Sequence, residues 1–203
     1  MTRVWCLLVL LTVSVGCRPL AIVRGPNRNT SSVEVEVDWT TPQPPTQAML
    51  NALRGSMANI CDPAVSVSFN LDDDLSGQGH GTWTDLDCRT FAVSHKDSDD
   101  FYMLWAAGVW DKSPQVGGYS WNKRDFVVFP DVYGGSSGNS QLAALHEWCH
   151  CLGLVDKFLE MSEPHKHAAG NHCDQGSCLM KPATWSSMLC PKCMADLTDG
   201  EEK

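Results

Sequence analysis

His146 and His150 stand four residues apart with Glu147 beside the first, and these are the residues whose types and spacing can do chemistry. On a helix, positions four apart lie one turn above each other, so the two imidazoles point the same way and can share one metal ion. Glu147 then projects beside the ion, where a carboxylate can take a proton from an activated water and later hand it to a leaving amine. Zinc suits such a set, because it lowers the pKa of a bound water to about 7. The chemistry these residues can support is hydrolysis of a peptide bond.

The continuation of the same stretch, HEWCHCLGLVD, adds to this reading. Gly153 can take the left-handed conformation that ends a helix and turns the chain sharply. Asp156 follows six residues after His150 and offers a third donor, leaving the fourth position of a tetrahedral zinc to water.

The elements that must position these groups are also readable. SVEVEVDW alternates apolar and polar residues from Val33 to Trp39, as a half-buried strand does. TPQPP breaks it, and the following helix places Met49, Leu50, Leu53, Met57 and Ile60 on one stripe, as core. AVSVSFNL, FYMLWAAGVW and DFVVFPD read as three further strands. DDDLSGQGHGTWTDLD, residues 72 to 87, reads as a solvated loop without the ordered ligand spacing of a calcium loop. YGGSSGNS is a turn into the metal-binding helix, with Asn139 or Ser140 as its cap.

At 203 residues, 43% hydrophobic and 19% charged, the chain has the composition of a globular protein with one sizeable core. Its 15 basic against 24 acidic residues give a net charge of −9, which argues against nucleic acid or an anionic membrane as a partner. Arg3 and the apolar run from Val4 to Val15 read as a signal peptide, residues 1 to 17; the run is too short for a transmembrane helix. Its end, Ser14-Val15-Gly16-Cys17, resembles a lipobox without the usual leucine, so plain secretion and a lipid anchor on Cys17 both stand. Residues 18 to 32 read as a tether, with a sequon at Asn29 that matters only in a eukaryotic secretory pathway, and residues 33 to 203 as one domain.

HEWCHCLGLVD resembles the metzincin zinc signature, His-Glu-x-x-His-x-x-Gly-x-x-His/Asp, with aspartate in the last place as in the snapalysin-like branch. Downstream, HCDQGSCLM and CPKC resemble the archaemetzincin pattern at His172, Cys173, Cys178, Met180, Cys190 and Cys193. The resemblance implies an α+β fold with a twisted mixed sheet, a backing helix, a zinc helix and a small C-terminal subdomain carrying a Met-turn at Met180. It also implies a zinc metalloendopeptidase with Glu147 as general base and acid, a substrate lying extended along an edge strand within residues 108 to 121, and a second, structural zinc on the four cysteines. In archaemetzincins the histidine of this string is the third ligand. Here residues 157 to 171 intervene, so Asp156 is favoured on the shortness of its turn, with His172 as the alternative. His165 and His167 in that insertion could also reach a metal, but exposed loop histidines are commoner.

Eight of the ten cysteines lie beyond the signal. Export favours disulfides, whereas Cys190-x-x-Cys193 with Cys173 and Cys178 nearby favours a four-thiolate zinc site. Cys61 and Cys88 are candidates for a disulfide, while Cys149 and Cys151 face different directions on one helix and cannot readily bond to each other. The competing function is a catalytically inactive, zinc-stabilised binding module on the same fold, against which the intact glutamate argues; a disulfide-rich structural protein would bind no metal.

Overall fold

The computed structural model describes residues 32–60, 65–97, 100–155, 165–166, 170–183 and 186–199. The signal, Cys17, the tether as far as residue 31, Cys61, Asp156 and His167 lie outside the described residues.

The chain runs through β1 (Ser32–Trp39), α1 (Gln47–Ile60), β2 (Ser66–Asp74), β3 (Thr82–Trp83), α2 (Asp85–His95), β4 (Phe101–Trp105), β5 (Val109–Trp110), β6 (Gly118–Ser120), β7 (Asp125–Val128), a 3-10 turn (Pro130–Tyr133), α3 (Ser137–Cys151) and α4 (Pro191–Asp199). Five strands form one sheet in the order β2-β1-β4-β7-β6. The pairings of β1 with β2, β1 with β4 and β4 with β7 are parallel, and β6 runs antiparallel to β7 at the edge. Strands parallel in this way need crossover connections, and β1, α1 and β2 form one. The architecture is therefore mixed α/β rather than the α+β expected from sequence.

Both faces of the sheet are covered. Val35, Val37, Met103, Trp105, Phe126 and Val128 point into one core with α1 and α3. Tyr102, Leu104, Val127 and Phe129 point the other way, onto Trp83 and the α2 residues Cys88, Phe91 and Ala92. Burial on two sides explains why β4 and β7 read as continuous apolar runs instead of alternating ones. The α1 stripe is buried as expected, and Leu50, Leu53 and Met57, each at most 1% exposed, contribute about 1.5–3 kcal/mol apiece through removal from water. Cys173, Cys178, Leu179, Met180, Cys193 and Leu197 belong to this same core, so the C-terminal segment is packed against α3 and its neighbours.

The stretch expected as a loop from 72 to 87 instead contains the end of β2, all of β3 and the start of α2. Thr84 opens that helix with a capping box: its hydroxyl accepts from the Asp87 N–H at 3.1 Å, while the Asp87 carboxylate accepts from the Thr84 N–H at 2.8 Å. The box was visible as T-x-x-D, but the helix behind it has weak periodicity, with Leu86 71% and Val93 87% exposed. The expected third strand divides into β4 and β5, with Gly108 between them at φ +101°, where a Cβ would meet the His80 carbonyl oxygen at 2.4 Å. Cys88 is a buried free thiol, and its suggested disulfide partner, Cys61, is not among the described residues.

Candidate metal centre and cleft

α3 enters from the 3-10 turn through Gly134 and Gly135, both at positive φ. Its N-cap is Ser136, not Asn139 or Ser140; Ser140 lies inside the helix, and its hydroxyl donates to the Ser136 carbonyl at 3.1 Å. The helix ends after Cys151, and Gly153 takes φ +98° as the sequence led one to expect. Val155, a β-branched residue, is fully buried and takes φ +59°, a strained conformation for such a side chain.

The i, i+4 spacing brings the His146 and His150 rings to 4.8 Å between centroids. His172 joins them, 5.2 Å from His146 and 5.4 Å from His150. One ring nitrogen from each of the three lies within 4.8 Å of the others. His172 is thus the residue brought to the pair among the described residues, while Asp156 lies outside them. Entropy is a weak obstacle to that return, because the cost of loop closure rises only logarithmically with length. The local ties are visible: Lys166 bridges Cys173 in antiparallel fashion, Asp174 N–H donates to the His165 carbonyl at 2.8 Å, and Cys173 N–H donates to the Met180 carbonyl at 2.8 Å.

His146 Nδ1 lies 2.8 Å from the Leu179 carbonyl oxygen, so the tautomer that donates there leaves Nε2 with its lone pair for a metal. Leu179 belongs to a tight turn closed by Lys181 N–H donating to the Cys178 carbonyl at 3.1 Å, with Met180 fully buried within it. Three imidazoles with one tautomer already fixed by a carbonyl are a donor set that fits zinc.

Glu147 is buried beside the edge strand at 8% exposure. Gly118 allows its approach, and Gly117 that of Tyr133. A Cβ on Gly118 would lie 2.7 Å from Glu147 Cγ, and one on Gly117 would lie 2.0 Å from the Tyr133 hydroxyl. Burial and the Glu147 charge push the Tyr133 phenol up from its ordinary value. These residues line a cleft of about 610 Å³ that also takes in His146, His150 and His172. Its lining includes an aromatic pair, with Trp110 stacked on Tyr119 at 4.9 Å and 18°. Sequence reading missed Gly117, Gly118 and Tyr133; the glycine pair in QVGGYS, next to a strand, was the available sign of close approach.

A second cluster lies behind the turn. The sulfurs of Cys173, Cys178, Cys190 and Cys193 lie within 4.8 Å of one another, with 3.7 Å from Cys173 to Cys190 and 3.6 Å from Cys178 to Cys193. A disulfide needs about 2.05 Å. Four sulfurs at about 2.3 Å from a tetrahedral zinc stand about 3.8 Å apart, so this spacing fits the metal rather than the bond. The contact between Cys178 and Cys193 draws the Cys178 thiol down to about 5, while Cys193 is pushed up. Burial drives Cys173 up to about 12. Four thiols packed this closely, three of them buried, need a cation to ionise together. N–H groups of Gln175, Cys190 and Cys193 point at three of the sulfurs, at 3.3 to 3.5 Å. His165, expected to be exposed, is 1% exposed, with Nε2 3.5 Å from Cys193 Sγ and 3.2 Å from the Asp196 carboxylate.

A third group, Glu36, Asp38 and Asp72, brings three carboxylates within 4.8 Å on the far side of β1. Glu36 accepts from Asp97 N–H, and Asp38 accepts from the Tyr102 hydroxyl and the Asp73 N–H.

The fold thus combines a mostly parallel sheet, a histidine-bearing helix packed against its antiparallel edge, and a cysteine cluster behind the turn. No protein-family model and no curated protein matches the chain. Among solved structures the fold is similar to that of an archaemetzincin from Methanopyrus kandleri, with a TM-score of 0.57 and 14% identity over 82% of this chain and 94% of that one. The likeness is one of fold, and it agrees with the family resemblance carried by the motifs between residues 146 and 193.

Proposed function

We propose that the protein is a zinc-dependent metalloendopeptidase, with His146, His150 and His172 as the metal ligands in the cleft. The observation that carries this reading is the convergence of the three imidazoles with buried Glu147 in one cleft beside the edge strand. Zinc bound there supplies Lewis acidity toward the scissile carbonyl and the attacking water.

The chain's own residues do the rest. Glu147 takes the proton of the attacking water and delivers it to the leaving amine. Its burial between α3 and Gly118 fixes the carboxylate against the edge, so little reorientation is needed at the moment of transfer. Strand β6 ends the sheet, and an extended peptide adds to its outer edge through main-chain hydrogen bonds, bringing one peptide bond over Glu147. Met180, buried in the Cys178–Lys181 turn, serves as the Met-turn that holds Leu179 against His146. Cys173, Cys178, Cys190 and Cys193 hold a second, structural zinc. The reading includes export, either free or anchored by lipid at Cys17; its support is the apolar run from Val4 to Val15. Among the described residues no helix is long and apolar enough to cross a membrane.

The test is Glu147→Gln, assayed for zinc content and for casein cleavage. The variant keeps its zinc and loses about 10²–10⁴-fold in rate, the range for a general base. Cleavage at the wild-type rate would defeat the mechanism. A zinc-loaded wild-type protein that cuts nothing in a broad peptide library would instead point to an inactive binding module.

A further inference from the structure

Lys181 lines the cleft with His146, Glu147 and His172, and among the described lining residues it is the one that carries a permanent positive charge. Its backbone is part of the turn. Lys181 N–H closes the turn on the Cys178 carbonyl, and the residue stands two places beyond the Leu179 carbonyl that holds His146. Two residues span at most about 7 Å of chain, which puts the lysine stem close to the reacting centre. Pro182 restricts the backbone of Lys181 to extended conformations, and Ala183 follows at φ +53°; both also line the cleft.

The chain has an excess of acidic residues, yet none among those described pairs with this ammonium. Lys96 and Lys112 are each paired, with Asp125 at 2.6 Å and with Asp85 at 2.5 Å. Lys181 has no such partner among the described residues. Resting on the peptidase reading, we infer that Lys181 selects substrates bearing an aspartate or glutamate side chain within about three residues of the scissile bond, the span set by its reach and by a strand rise of about 3.3 Å per residue. The aromatic pair Trp110 and Tyr119 also lines the cleft, and the described lining residues include no competing lysine or arginine.

The experiment compares zinc-loaded wild type, Lys181→Ala and Lys181→Glu on a proteome-derived peptide library, with matched glutamate and glutamine peptides for kinetics. Wild type shows acidic residues enriched at one subsite. Lys181→Ala lowers the glutamate-to-glutamine ratio of kcat/KM about fivefold, the size of a half-exposed ion pair, with the change in KM. Lys181→Glu enriches lysine and arginine at that subsite. Fluorescence anisotropy of the same two peptides on Glu147→Gln protein, with and without Lys181→Ala, reads binding without turnover. Equal affinity for the two peptides with Lys181 present would overturn the inference, as would a kcat/KM ratio untouched by the substitution. Failure of the peptidase reading looks different: no cleavage by any variant, whatever the peptides' affinities.

Discussion

The imidazole of His146 and the carbonyl of Leu179 meet at 2.8 Å, and this one contact ties α3 to the turn that carries Met180 and Lys181. Through Cys178, the first residue of that turn, the contact also reaches the cysteine cluster. The two candidate metal centres are therefore joined by a few residues of backbone.

Gly118→Ala tests how closely Glu147 must approach the edge strand. The added methyl would stand 2.7 Å from Glu147 Cγ and 3.0 Å from the Val127 carbonyl oxygen, so the strand and the glutamate must part. Displacement of about 1 Å costs on the order of 10²-fold in rate. Zinc content should stay at the wild-type value, because the substitution touches no proposed ligand; elemental analysis beside the cleavage assay checks both statements.

His172→Ala and Asp156→Ala decide the third ligand. With His172 in that place, its alanine variant loses one zinc per chain and Asp156→Ala keeps full stoichiometry. The reverse pattern would restore the aspartate that the turn after Gly153 suggests from sequence.

Much of this site was legible because short-range rules governed it. The pairing of His146 with His150 follows from helix geometry alone, and the turn at Gly153 from the absence of a Cβ. The position of His172 was harder to read, since it depends on contacts made by His165, Lys166 and Cys173 across an inserted stretch, and periodicity carries no information about those. His165 looked like an exposed loop residue for the same reason. α2 was hidden by its own surface: a helix that buries chiefly Cys88, Phe91 and Ala92 leaves a faint stripe, and only the Thr84–Asp87 box announced it. The parallel order of the sheet followed from none of the strands taken singly.

Asp38 gives the protein a pH dependence that Asp38→Asn should remove. Burial raises its pKa from 3.8 to about 6, aided by Glu36 and Asp73, and the hydrogen bonds from Asp73 N–H and the Tyr102 hydroxyl only partly offset this. Between those two values the folded chain holds a proton that the unfolded chain has released. Stability from this group is thus greatest below about pH 4 and declines as pH rises to about 6, then levels off. Urea midpoints across that window should show the variant gaining on wild type as pH rises. Asp74 and Asp87, whose pKa values are lowered, contribute the opposite slope in both proteins and cancel in the difference.

Cys193→Ser tests whether the cysteine cluster supports the cleft from behind. A four-sulfur site that loses one ligand should release its zinc, because three sulfurs leave the tetrahedral set incomplete and burial raises the pKa of Cys173, one of the three. The thermal midpoint should fall by about 5 °C or more, corresponding to roughly 2 kcal/mol in a domain of this size. The consequence should also reach the histidines. Cys173 adjoins His172, and Cys178 begins the turn whose Leu179 carbonyl orients His146, so two of the three proposed ligands lose their backing. Loss of such outer support weakens metal affinity about 10- to 100-fold. Competition with a zinc chelator, read on the zinc that remains, measures it. Unchanged affinity at the histidine site would show that the two centres are neighbours without being coupled.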